Sequence, residues 1–96
     1  PFYLRGTMNA WGTSTPMQRV DADIYRAELA LAPGEHSFKI GSEDWGAVDF
    51  GAGAQAQTTL GAPMRLAMVG RNLTFTAAEA GTYRFILDVA NPLLPT

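Results

Sequence analysis

Asp23-Ile24-Tyr25-Arg26-Ala27-Glu28-Leu29-Ala30-Leu31, followed by Ala32-Pro33-Gly34-Glu35 and His36-Ser37-Phe38-Lys39-Ile40, decides the fold class. Tyr25, Ala27, Leu29 and Leu31 fall on one side of an extended chain, and Arg26, Glu28 and Ala30 on the other. That period of two is the mark of a strand with one buried face. Pro33 fixes φ and Gly34 supplies a backbone that other residues resist, so the four residues between read as a turn. The pattern predicts a hairpin, with Phe38 and Ile40 inward and Ser37 and Lys39 outward.

Outward from this stretch the same period continues, and no segment has a helical period. Phe2–Arg5, Met17–Val20, Trp45–Phe50, Pro63–Met68, Asn72–Thr76 and Thr82–Val89 are the further expected strands, separated by turn residues. Met64, Leu66 and Met68 are expected inward, as are Leu73 and Phe75, and then Tyr83, Phe85, Leu87 and Val89. In the strand from Trp45 to Phe50, Val48 and Phe50 take the core side, leaving Trp45, Ala47 and Asp49 outward. Gly51–Ala62 is rich in Gly, Ala, Gln and Thr and reads as a flexible connection or weak edge. About seven or eight short strands predict an all-β, two-sheet antiparallel sandwich.

Ninety-six residues make one domain, which hides about 60–68% of its unfolded surface. The net charge is −2, and the seven basic residues are scattered singly from Arg5 to Arg84. Nucleic acid and anionic membrane surfaces both call for clustered Lys and Arg, so neither is an expected partner. There is no cysteine, which excludes disulfides and thiolate metal sites. No apolar run approaches the ~18 residues of a membrane span. The chain begins at Pro1, and Asn91-Pro92-Leu93-Leu94-Pro95-Thr96 resembles an inter-domain linker, so residues 1–96 read as one module of a longer protein, or as a processed chain, with a linker expected at 90–96.

Catalysis finds few residues to work with. His36 is the sole histidine, and its alternation partners Phe38 and Ile40 put it beside the core. Glu35, Glu43 and Asp44 fall on turns, where acidic side chains serve mainly to solvate a loop. A sandwich this small offers little depth for the paired carboxylates of a glycosidase. No phosphate loop, nucleophile triad or metal-ligand spacing is present, and no cofactor is implied. The Asn72-Leu73-Thr74 sequon coincides with the start of an expected strand. A free-standing enzyme is therefore not the expected function.

Binding is better supplied. Trp11 stands in the polar stretch Gly6-Thr7-Met8-Asn9-Ala10-Trp11-Gly12, where packing gives an indole little to do. Lys39, the only lysine, and Trp45 are turned outward by parity. A tryptophan alone in a small β-domain is as often core as platform, and a lone strand lysine is usually just solvated. Together the three define one expected face. A flat exposed indole packs against the C–H face of a pyranose ring, and Lys or Asn beside it hydrogen-bonds hydroxyls.

Tyr3-Leu4-Arg5-Gly6-Thr7-Met8-Asn9-Ala10-Trp11 resembles the strand-Gly-x-[Phe/Met]-Asn-x-Trp opening of carbohydrate-binding module family 48. This family includes the glycogen-binding domain of the AMP-activated kinase β subunit and N-terminal domains of pullulanases and branching enzymes. Tyr25 to Ile40 is similar to its aromatic strand and [Pro/Ala]-Gly-Glu-[His/Tyr]-x-[Tyr/Phe]-Lys segment, and Trp45 falls where the family places a second stacking tryptophan. The resemblance covers residues 2–50. It implies an immunoglobulin-like sandwich that binds α-glucan (starch, glycogen or pullulan), with Trp11 and Trp45 stacking on sugar, Lys39 as polar contact, and Asn9 ordering the Trp11 loop. It also implies a non-catalytic accessory domain on a secreted or periplasmic amylolytic enzyme, with that enzyme's catalytic domain as neighbour.

After Trp45 the chain departs from the pattern. Gln55, Gln57, Thr58 and Thr59 are polar residues to which the resemblance assigns no role. Asn72 to Phe85 is similar to the closing hairpin of starch-binding-like accessory domains of bacterial pullulanases and amylases. The alternative expectation is an immunoglobulin-like spacer that packs on a catalytic domain and binds no sugar.

Overall fold

In the computed structural model, which describes residues 2–46, 48–53, 56–58 and 64–89, the alternating segments form two antiparallel sheets. Eight strands are present among the described residues: β1 (Tyr3–Gly6), β2 (Gln18–Asp21), β3 (Ile24–Leu31), β4 (Gly34–Gly41), β5 (Asp49–Ala52), β6 (Leu66–Met68), β7 (Leu73–Ala77) and β8 (Gly81–Asp88). The sheets pack face to face as the antiparallel β-sandwich that the alternation predicts. The expected linker at 90–96 lies outside the described residues.

The smaller sheet has the order β2-β3-β8. β3 and β8 pair over their whole lengths, from Ile24 opposite Asp88 to Leu31 opposite Gly81. This register sets Tyr25, Ala27 and Leu29 beside Leu87, Phe85 and Tyr83 on the core side. It turns Glu28 and Arg84 outward, where they form an exposed ion pair 3.3 Å long. A pair so open to water contributes little to stability.

In the five-stranded sheet β4 is central. Phe38 pairs with both Gly6 and Leu73, and Ile40 with both Leu4 and Phe50. β1 therefore takes one edge of β4, while β7 and β5 share the other, end to end. β6 lies beyond β5.

The turn at Pro33 does not make the expected hairpin. β3 belongs to one sheet and β4 to the other, so the chain crosses the core at Ala32-Pro33. Pro33 has no N–H to continue a ladder, and Gly34 takes φ 121°, which bends the chain out of the sheet plane. The imidazole Nε2 of His36 closes this turn at 2.8 Å from the Ala32 carbonyl oxygen. β7 and β8 repeat the manoeuvre rather than forming a closing hairpin, and the Tyr83 hydroxyl donates to the Glu79 carbonyl at 2.6 Å. Because Gly34 pairs with Ala77 and Leu31 with Gly81, the two crossings lie side by side.

Aromatic pairs join the layers. Phe38 meets Phe85, and Phe75 meets Tyr83, each edge to face at 5.1 Å between centroids. Leu4, Leu73 and Leu87 are fully buried between the sheets. Leu87→Ala should therefore cost about 2–5 kcal/mol, read as a lower urea midpoint with an unchanged slope. Met68 departs from its expected inward position: it is 55% exposed at the end of β6, where the chain turns at Val69 with φ 52°.

Candidate functional site

Leu4, Phe38, Ile40 and Phe50 point into the core, so Arg5, Lys39, Gly41 and Asp49 share the outer face of the five-stranded sheet. Arg5 stands directly opposite Lys39 on adjacent strands, and Gly41 opposite Asp49. Two cations side by side repel, and the face compensates with a carboxylate: Lys39 Nζ is ion-paired with Asp49 Oδ1. Both side chains are mostly covered, at 13% and 18% exposure. Lys39 thus does face outward, but its ammonium is engaged by the protein.

Trp45 covers this pair from a loop. The expected strand from Trp45 to Phe50 begins only at Asp49. Before it, Ser42 and Val48 close the loop: Ser42 N donates to the Val48 carbonyl at 2.9 Å, and Val48 N to Ser42 Oγ at 3.0 Å. Asp44 Oδ1 accepts from Gly46 N at 2.8 Å. Trp45 takes φ 66°, a left-handed backbone no strand contains. The result folds the indole back onto the sheet, where its six-membered ring lies against Gly41. Any side chain there would collide with it. Arg5 Cζ is 4.1 Å from the ring centroid and Lys39 Nζ 5.3 Å, both within cation–π range.

Trp11 lies on the loop after β1. Thr7–Asn9 make one 3-10 turn, and Ala10 and Trp11 follow with φ 55° and 60°. Asn9 fastens the loop through its side chain. Oδ1 accepts from Gly6 N at 2.9 Å, and Nδ2 donates to the Leu4 carbonyl at 2.8 Å and to Thr15 Oγ1 at 3.1 Å. Its amide is spent on the loop. Asn9→Ala should leave a backbone donor and an acceptor short of partners, costing about 1–3 kcal/mol in denaturant unfolding.

Arg5 is the site residue that sequence reasoning missed. Its Nε donates to the Trp11 carbonyl at 2.8 Å, while Nη1 donates to the Ser42 carbonyl at 2.9 Å and the Glu43 carbonyl at 3.0 Å. One guanidinium thereby ties the Trp11 loop to the Trp45 loop. The available signal was parity, which puts Arg5 on the same face as Lys39. Both tryptophans are partly buried.

Comparison with protein-family profiles, with curated proteins and with solved structures finds no match. What the site can do rests on its own geometry. Among the described residues no group of three or more His, Asp or Glu could hold a metal ion. Of the polar residues after Trp45, Gln57 and Thr58 pair with β7. Thr58 Oγ1 donates to the Thr74 carbonyl at 2.9 Å, and Thr74 Oγ1 to Gln57 Oε1 at 3.3 Å. Gln55 and Thr59 lie outside the described residues. The arrangement places two tryptophans on loops that a single cation ties together, beside a closed ion pair.

Proposed function

We propose that the outer face of the five-stranded sheet binds α-glucan chains of the starch, glycogen or pullulan type. In this reading the domain is a non-catalytic module of family 48 character, carried by a larger amylolytic enzyme that is secreted or periplasmic. Trp45, partly buried and laid over Gly41, supplies one stacking surface, and Trp11 supplies the second. Asn9 orders the Trp11 loop, and Lys39 supports the Trp45 indole from beside it. The observation that carries the reading is the single Arg5 guanidinium bonded to both tryptophan-bearing loops. An open face desolvates few polar contacts, so affinity is expected in the range of about 1 μM to 1 mM. Useful retention then comes from many such contacts along a polymer.

A second reading, a spacer that packs on a catalytic domain without binding sugar, is favoured by the closed Lys39–Asp49 pair, which leaves the ammonium little freedom to meet hydroxyls. Affinity electrophoresis in glycogen-containing gels, with tryptophan fluorescence titration by maltoheptaose, separates the two. Glucan binding requires retardation and a saturable fluorescence change in the folded wild type. Their absence leaves the spacer reading.

A further inference from the structure

We infer that Arg5 is a positioning residue that couples the two tryptophan loops, so that the placement of each indole depends on the other through one guanidinium. The consequence for glucan affinity rests on the function proposed above; the coupling itself does not. Trp11 and Trp45 both sit in left-handed backbone, at φ 60° and 66°. For an L residue with a bulky side chain that conformation is strained and persists only where the surroundings over-determine it. Arg5 supplies that constraint on both sides. It bonds Trp11 at its own carbonyl, and it bonds Ser42 and Glu43 just ahead of Trp45 while its Cζ stands 4.1 Å from the Trp45 ring.

Lys39 is the competing candidate, and it does not do this. Its ammonium is paired with Asp49 and stands 5.3 Å from the Trp45 ring, but among the described residues it makes no hydrogen bond to the backbone of either loop. Nor is Arg5 replaceable by lysine in this role. Three carbonyls on two loops are met by the planar guanidinium fork, whereas an ammonium on a flexible stem is a point charge without that fixed geometry. Shallow binding depends heavily on how far the free protein already holds its contact groups in place. A loss of loop order is thus read as a loss of affinity.

The chain has only two tryptophans, so labelling with 5-fluorotryptophan gives one fluorine resonance for each loop. In the otherwise wild-type protein, Trp45→Phe should shift the Trp11 resonance. In Arg5→Met that response should vanish, with both resonances broadened. Arg5→Lys keeps the charge and should remain folded, with a somewhat lower thermal midpoint, yet also lose the response, and it serves if Arg5→Met does not fold. Both variants should bind maltoheptaose at least about tenfold more weakly. A folded Arg5→Lys with sharp, unshifted resonances and an intact Trp45-to-Trp11 response overturns the inference, whatever the sugar does. A merely structural Arg5 would lower the midpoint and leave that response in place. If the wild type binds no glucan, the proposed function falls, and the fluorine measurements alone still decide the coupling.

Discussion

Trp45→Ala is expected to abolish retardation by glycogen while leaving the domain folded. The indole sits on a loop outside both sheets, lying on Gly41 and beside Arg5, and no core residue depends on it. Removing it forfeits two cation–π contacts, of about 0.5–1 kcal/mol each, and the packing of a partly buried indole on Gly41, a loss confined to the sheet's outer face. The left-handed backbone at this position is equally unwelcome to alanine, so that strain is unchanged. Binding loses far more. Truncating a central aromatic in a recognition surface typically costs 2 kcal/mol or more, which is about thirtyfold in affinity. For a site whose wild-type affinity is weak, that is loss of measurable binding.

Gly41→Val carries the same expectation by another route. Valine suits a strand, and the position faces outward, but its side chain takes the place where the Trp45 ring rests. The tryptophan remains in the protein and its platform is gone. If binding needs the indole held flat on the sheet, Gly41→Val should resemble Trp45→Ala in gels and in titration while the domain remains folded. Retention of full affinity by either folded variant would remove Trp45 from the site.

Much of the fold was legible because alternation is a local property. Ala27, Leu31, Phe38, Ile40, Phe50 and Leu87 are buried where the period of two places them, and Lys39 and Asp49 face outward. Which strand lies beside which is not local. The same inward residues serve a hairpin or a crossing between layers, so the sequence around Pro33 was equally consistent with both. Trp45 was expected on a strand because parity counting assumes an unbroken one, whereas it reaches the outer face from a loop. A loop closed by Ser42 and Val48, with one left-handed residue, resets the count. Arg5 was missed for a different reason: its partners are backbone carbonyls, two of them 37 and 38 residues away, and a carbonyl carries no side-chain signature. Asn9 was legible because its task is confined to the loop that contains it.

Lys39→Met tests what the lone lysine does. Its ammonium and the Asp49 carboxylate are largely withdrawn from water beside the Trp45 ring. Removing one member of a covered pair leaves the other charge uncompensated, and that loss exceeds the net worth of the pair. For groups that keep some solvent contact, the cost of Lys39→Met should be about 1–3 kcal/mol, seen as a lowered urea midpoint. Asp49→Asn should also destabilise, since it strands the ammonium next to Arg5. The double variant Lys39→Met/Asp49→Asn should regain most of the loss, because neither charge is then left without a partner. Glucan affinity in that double variant discriminates further. If Lys39 acts by holding the sheet face beneath Trp45, affinity returns with stability. If the ammonium itself donates to sugar hydroxyls, stability returns and affinity does not. The 13% exposure of the lysine side chain favours the first outcome, with affinity restored to within about threefold of wild type.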